Sequence, residues 1–436
     1  MILLASTAHT QTLSLEQARA LALANSRSLA RYELAIRSSV LDERNQLYAM
    51  LPQVSAGYSA SMDYLRDWEF VNPVDSFTSG ATLSITQIIF QGGRGFIQKA
   101  ITAISTESTR KDALAEYFNV LDSIDNAYYA VLEAAASLEA ENTALQSAQL
   151  GFSIAEVRQS TGMINAGDFL KALADKETRE NSFNQARRNL ALCEARLRSL
   201  TGISGHVELE QIDMNSFDQV LARLSGISDE DADSLYADSW NLLTESNPSL
   251  AKASLNSQRA ERNLSLTRLE SAPTISAAVF STGLNYSAAN GFNSTASGGI
   301  TIRGSIPLDF WVLANRIEKS TIARDSASID YQNVYSSLEI ELQSALLSIY
   351  AQAGSVLSSR RSLEYSERHY EFVMERYRLS QSSISELTEA SSLYITSRNN
   401  HIRAAYGFLQ GLSRLRSLLA LENEDKLIDL LLGLEN

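Results

Sequence analysis

Residues able to do chemistry are few and scattered in this sequence. The four histidines, His9, His206, His369 and His401, stand far apart, without the spacing that brings imidazoles to one metal ion. The single cysteine, Cys193, excludes an internal disulfide and a zinc cluster. At helical spacing between Leu190 and Leu197 it reads as a small packed hydrophobe. Gly92-Gly93-Arg94-Gly95 follows a strand pattern but lacks phosphate-loop or dinucleotide spacing, so it reads as a junction. No nucleophile elbow is present. The chain is therefore expected to have no catalytic residues, no cofactor and no metal site.

Long uninterrupted elements are expected instead. Pro occurs only 5 times and Gly only 20 times in 436 residues, and helix formers fill the stretches between them. A net charge of −14 argues against a nucleic-acid partner, which would need a basic face. No run approaches the roughly 18 apolar residues of a membrane-spanning helix. Residues 1–12 carry Ile2-Leu3-Leu4-Ala5 and then the small residues Ser6-Thr7-Ala8, and read as the remnant of an export signal or a disordered start.

The chain repeats itself. Asn25-Ser26-Arg27-Ser28-Leu29-Ala30 returns as Ser246-Asn247-Pro248-Ser249-Leu250-Ala251, and Leu51-Pro52-Gln53-Val54-Ser55-Ala56 as Ala272-Pro273-Thr274-Ile275-Ser276-Ala277, both 221 positions on. Ile97 and Lys99 return as Ile317 and Lys319, and Arg196-Leu197-Arg198-Ser199-Leu200 returns unchanged 218 positions later. Four echoes in one order imply duplication: residues 13–202 and 234–422, with a linker at 203–233 and an acidic tail at 423–436.

Each half opens with a helix, stopped by Pro52 or Pro273. The period then changes to two. Val54, Ala56, Tyr58, Ala60 and Met62 alternate with Gln53, Ser55, Gly57, Ser59 and Ser61, and Ala81, Leu83 and Ile85 alternate with Thr82, Ser84 and Thr86. The second half repeats this with Ile275, Ala277 and Val279, then Ile300 and Ile302 against Thr301 and Arg303, although Phe280 breaks the pattern. The expected strands are 53–64, 78–90, 274–284 and 298–308. Small Ser, Thr and Gly on the polar side suit a wet interior, and apolar-out alternation over about ten residues is what a transmembrane barrel needs. Val54, Tyr58, Met62, Leu83 and Ile85 are therefore expected to face lipid, and Ser55, Ser59, Thr82, Ser84 and Thr86 water. Proline-free helical hairpins follow, at 93–200 and 312–421. Leu114, Tyr117, Leu121, Ile124, Tyr128, Val131, Ala135 and Leu138 mark a heptad seam.

This ordered set resembles the TolC-like outer-membrane efflux proteins over nearly the whole chain. The resemblance is carried by Leu13-Ser14-Leu15-Glu16-Gln17-Ala18, by Gln87-Ile88-Ile89-Phe90-Gln91-Gly92-Gly93-Arg94, by Ile306-Pro307-Leu308, and by Gly162-Met163-Ile164 followed by Asp168-Phe169-Leu170-Lys171-Ala172. It implies a mainly α fold with a β-barrel part. A homotrimer would share a twelve-stranded outer-membrane barrel above an α-helical barrel in the periplasm. It further implies an exit duct for efflux or protein secretion, with outer-membrane lipid, a periplasmic adaptor and an inner-membrane pump as partners. Carried over residue by residue, the adaptor-docking tips are Gly162, Met163 and Ile164, with Ser382, Ser383 and Ile384 in the second hairpin. That second tip lacks the family's glycine, and two residues are expected to be missing after it. The acidic positions of the periplasmic entrance fall on Asp168, Glu386 and Glu389, the last two on one helical face. Capping of the helix dipole is an equal reading of these carboxylates. The family's latch positions fall on Leu379 and Ile384, so what holds the entrance shut stays open. The alternative reading of the chain is a coiled-coil scaffold of the periplasm or cell surface, which would have no use for apolar-out hairpins.

Overall fold

The computed structural model describes residues 12–62, 65–66, 69–70, 77–205, 208–287, 291–293 and 297–433. The leader reading of residues 1–11 and the end of the first expected strand, at 63–64, lie outside them. The chain forms two compact units. One collects Arg31–Ala113 and Ser249–Val334; the other holds Leu114–Pro248 with the residues before Arg31 and after Val334.

The first unit contains the sheet. Helix α1 (Leu15–Asn25), in the other unit, leads to α2 (Arg27–Tyr48) and then to β1 (Gln53–Ser61), the short β2 (Leu65–Arg66) and β3 (Glu69–Phe70), and β4 (Thr78–Phe90). In the second half β5 (Thr274–Ser287), the short β6 (Gly291–Asn293) and β7 (Ser297–Ser305) return the pattern. Both first strands start directly after the prolines, as the change of period requires. The two hairpins are not separate: β4 pairs antiparallel with β5, giving the order β1-β4-β5-β7 with β6 beside the far end of β5. Pairing between repeats supplies the packing that neither hairpin has alone. Ile306, Pro307 and Leu308, expected as strand, follow the end of β7.

Long helices follow each hairpin: α3 (Arg94–Ser160) with 67 residues and α4 (Ala166–Thr201), then α8 (Phe310–Arg378) with 69 residues and α9 (Ile384–Leu418). Each of the longer two extends roughly 100 Å. Between them lie α5 (Asp218–Ser225), α6 (Asp229–Ser246) and α7 (Pro248–Arg268); α10 (Glu424–Leu432) closes the described chain. Helix α6 begins inside the segment read as linker, and the acidic tail folds, burying Leu427, Leu430 and Leu431. Among the described residues no helix is long and apolar enough to cross a membrane.

In α3 the expected seam holds at Leu121, Ile124, Tyr128 and Val131, which are buried, but Ala135 is exposed and Leu138 half-buried. The seam moves to Ala134 and continues through the small residues Ala140, Ala144, Ala148 and Ala155. A straight helix at 3.6 residues per turn drifts off a strict heptad, and alanines let neighbouring helices approach closely where it does.

The duplication is visible as hydrogen bonds. Asn25 donates from Nδ2 to the Thr201 carbonyl at 2.7 Å, and its counterpart Ser246 donates from Oγ to the Leu419 carbonyl at 2.7 Å. Each ties the first helix of its half to the end of that half's returning helix.

Candidate functional site: the two-faced sheet and the hairpin tips

Strand pairing fixes the two faces of the sheet. Val54 lies opposite Ile85, Ala56 opposite Leu83 and Tyr58 opposite Ala81; Ile85 then faces Val279, which faces Ile300. Cross-strand partners share a side, so these residues and Met62 form one apolar face. That face is bare: Tyr58 is 72% and Val54 68% exposed, and Met62, Leu83 and Ile85 are exposed too. The other face is a ladder of small hydroxyls. Ser55 Oγ meets Ser84 Oγ at 2.7 Å, Ser61 meets Thr78 at 2.8 Å and Thr282 meets Ser297 at 2.5 Å. Phe280 does not break the register. It takes its turn on the hydroxyl side, opposite Ser84 and Gly299, where its ring fills the space that a Gly299 side chain would need. A β-bulge between Ile88 and Phe90 brings Phe90 opposite Ile275, back on the apolar side.

The strand-to-helix junction explains its glycines. Gly92 has φ +63, and a Cβ there would stand 2.3 Å from the Ala272 methyl, so only glycine fits. Arg94 then donates to the Gln91 carbonyl at 3.1 Å and to Thr274 Oγ1 at 2.5 Å, clamping the start of α3 to the base of β5.

At the far end of the long helices the two hairpin tips have one backbone. After α3 the amide of Met163 donates to the Arg158 carbonyl at 2.8 Å with Gly162 left-handed; after α8 the amide of Gln381 donates to the Arg376 carbonyl at 2.8 Å with Ser380 left-handed at φ 62. Both are six-to-one helix ends. The second tip therefore keeps the 218-residue offset with nothing missing, and Ser380 stands where the first tip has Gly162. This corrects the expected correspondence, which missed the turn because serine does not advertise a left-handed position. Met163 is 72% exposed, Gly162 and Ser383 are exposed, and Ile164 and Ser382 are partly covered. Ile384 is only 6% exposed, packed with Val373, Tyr377 and Leu387 in the tip core, so it offers no docking surface. Helix periodicity turns it inward.

Asp168 and Glu386 occupy equivalent places three residues into α4 and α9. Asn165 caps α4 by accepting from the Asp168 amide at 2.8 Å, and Ser383 caps α9 by accepting from the Glu386 amide at 3.2 Å. The Asp168 carboxylate accepts from Asn165 Nδ2 at 3.0 Å, and that of Glu386 accepts from Ser382 Oγ. Both carboxylates belong to cap motifs; Asp168 is half-buried, while Glu386 and, one turn on, Glu389 stay exposed. Near them a contact unreadable from sequence joins the tips: Arg158 lies 4.4 Å above the Tyr377 ring and donates to the Tyr377 carbonyl. Burial holds the Tyr377 phenol above its ordinary value, with the Arg158 charge opposing. The expected latch position Leu379 is exposed instead.

Sequence reasoning also missed a buried ionic cluster. Asp125 of α3, fully buried, receives Arg19 Nε at 2.7 Å, Arg416 Nη2 at 2.7 Å and Ser413 Oγ at 2.7 Å, and Arg19 reaches Glu424 of α10 at 3.1 Å. Burial disfavours the Arg19 guanidinium, but the hydrogen bond and charge of Asp125, with Glu424 added, outweigh it and hold its pKa above the ordinary value. The cluster pins α1, α3, α9 and α10 together. The Tyr128 phenol, pushed up to about 12 by burial, has its one hydrogen shared between the carbonyls of Leu13 at 2.9 Å and Glu210 at 2.8 Å.

A sheet with one bare apolar face and one hydroxyl face, set in duplicated helical hairpins, agrees with the known proteins this chain resembles. Its residues 18–203 and 240–421 match the family model described as outer membrane efflux protein. The chain belongs to the outer membrane efflux protein family. Its function is that of an outer-membrane exit duct, and the family is one of channels. The fold is TolC-like. Similar solved structures include the CmeC outer membrane channel of Campylobacter jejuni, at 15% identity and TM-score 0.76, covering 100% of this chain and 95% of that one. VceC of Vibrio cholerae gives 15% identity and TM-score 0.74 over 93% and 96% of the two chains. The open state of the Neisseria gonorrhoeae MtrE channel gives 14% identity and TM-score 0.70 over 93% and 88%. No curated protein sequence matches the chain.

Proposed function

We propose that three copies of the chain close edge to edge, β7 of one against β1 of the next, into a single twelve-stranded barrel. The barrel stands in the outer membrane and the helices reach into the periplasm. The observation that carries this reading is the sheet of four long strands itself, with two open edges and an apolar face left exposed by the described residues of the protomer. Hydrocarbon does not tolerate unpaired strand edges, so such a sheet enters a bilayer only when partners close it. Val54, Tyr58, Met62, Leu83 and Ile85 then meet lipid, and the hydroxyl face lines the pore.

In this reading the hairpin tips form the periplasmic entrance. Gly162, Met163, Ile164, Ser382 and Ser383, with Ser380 and Gln381 from the corrected register, receive a periplasmic adaptor that hands over cargo from an inner-membrane pump. Asp168, Glu386 and Glu389, repeated by symmetry, form carboxylate rings that favour cations. Their capping bonds do not oppose this, because a cap uses one face of a carboxylate and leaves the charge in place.

The test is native mass in detergent followed by bilayer recording. A trimer that conducts, and that loses cation preference and block by a periplasmic multivalent cation when all three carboxylates become amides, supports the reading. A monomer or dimer overturns it. A conducting trimer with unchanged selectivity reduces the carboxylates to helix caps.

A further inference from the structure

The four long strands contain one charged residue, Arg303 of β7. Its register is unambiguous: Arg303 pairs with Ser276, between Thr301 opposite Ala278 and Ser305 opposite Thr274. It therefore stands on the hydroxyl face, and it is exposed. On the apolar face at mid-membrane an arginine would cost about 2–4 kcal/mol, whereas on the wet face its charge is free to act on what passes. Arg303 is two residues from the helix-joined end of β7, roughly 7 Å along the strand.

A second guanidinium converges on the same place. Arg94 reaches Thr274 Oγ1, and Thr274 shares the hydroxyl face with Ser276, the partner of Arg303. Among the described residues neither arginine meets a carboxylate at ion-pair distance, while Arg316 of the same unit is neutralised by Glu270 at 2.9 Å. Two positive charges without a described carboxylate partner thus flank the first residues of β5, on a wall otherwise built of Ser, Thr, Gly, Ala and Gln with two apolar residues, Phe280 and Ile88, the latter opposite Ser276.

We propose that Arg303, with Arg94 beside it, is a selectivity residue of the barrel. It forms a positive collar on the inner wall at the sheet's helix-joined end that draws small anions and the carboxylate or phosphate groups of anionic cargo. The proposal rests on the channel reading, in which the hydroxyl face lines the pore and the collar comprises three copies of each arginine. Its sign is opposite to that of the carboxylates at the tips. A small cation would be slowed at the collar.

Arg303→Gln removes the charge from an exposed side chain that makes no described hydrogen bond, and Arg303→Glu reverses it. Reversal potentials across planar bilayers should show anion permeability relative to cations falling about two- to tenfold in the glutamine variant and further in the glutamate variant at low salt. The difference should fade toward 1 M salt, where screening shortens the range to about 3 Å. Inorganic tripolyphosphate, applied from each side in turn, should block the wild-type current from at least one side and block Arg303→Gln more weakly. A conducting channel whose selectivity and tripolyphosphate block are the same in all three proteins overturns the collar and leaves the channel reading standing. Failure of the wild type to conduct brings down both.

Discussion

Arg198 and Arg416 occupy the same place in two identical pentapeptides, one at the end of α4 and one at the end of α9. Arg198 is 34% exposed and lies 3.2 Å from Glu194 one turn earlier. Arg416 is 2% exposed and lies on Asp125, 291 positions away. The difference comes from what each half sets opposite its returning helix. Helix α3 offers Asp125 to the second repeat, while at the 220-residue offset α8 carries Ala345 and offers no charge to the first. Among the described residues the first repeat shows no buried ionic centre like the one that closes around α10. The duplication thus holds in backbone and strand faces and fails in electrostatics.

The largest effect should expose that asymmetry. Asp125→Ala takes the close partner from buried Arg416, leaving it only Glu424 at 3.9 Å, and should cost about 3–5 kcal/mol, while Glu194→Ala, which frees the half-exposed Arg198, should cost under about 1 kcal/mol. Denaturant unfolding in detergent measures both. Equal losses would mean that the two arginines are equivalent after all.

Where the repeats agree, mutations should agree too. Leu83→Arg in the first hairpin and Ile302→Arg in the second should each destabilise the membrane-inserted sheet by about 2–4 kcal/mol, while Ser59→Arg on the opposite face is tolerated. Heat-resistant oligomer on a semi-native gel reports the loss. A large penalty at Ser59 would break the face assignment for both halves at once.

The helix ends separate the repeats more gently. After α3 and α4 the first uses left-handed glycines, Gly162 and Gly202; after α8 and α9 the second uses Ser380 and Ala420, with φ 62 and 51. A Cβ at Gly162 would meet nothing within 4 Å, so its substitution tests conformation alone. Gly162→Ala should cost about 1 kcal/mol, and Ser380→Gly should gain a similar amount. Thermal midpoints of the two variants moving in the same direction would contradict this.

The smallest effect concerns pH. His401 of α9 stands at the offset of Phe183 in α4. Burial, with Arg360 adding, lowers its pKa below 6.5, and its Nδ1 lies 3.2 Å from Ser359 Oγ. The folded state then binds fewer protons than the unfolded one. The stability this group leaves intact above pH 6.5 is lost as pH falls through the lowered value. His401→Phe should flatten that slope in melting curves between pH 7 and 5, and an unchanged slope would assign it to other groups.

The sequence by itself determined the elements and their repetition. Period-two alternation, two prolines and long proline-free runs are local signals, because side-chain direction along a strand or helix follows from backbone geometry alone. Thr78–Phe90 could be read to the residue for that reason. Glycine at Gly162 was legible as a tip, while Ser380 was not, because a left-handed serine differs from any other serine only in the turn it occupies. Ile384 read as tip and proved to be core, since burial depends on which helix lies alongside. The joining of the two hairpins through β4 and β5, the clasp of Arg158 on Tyr377 across 219 positions, and the choice of Arg416 over Arg198 for burial were decided by tertiary structure only. Each is a pairing between distant residues, and its free energy exists only once the chain has brought both partners out of water together.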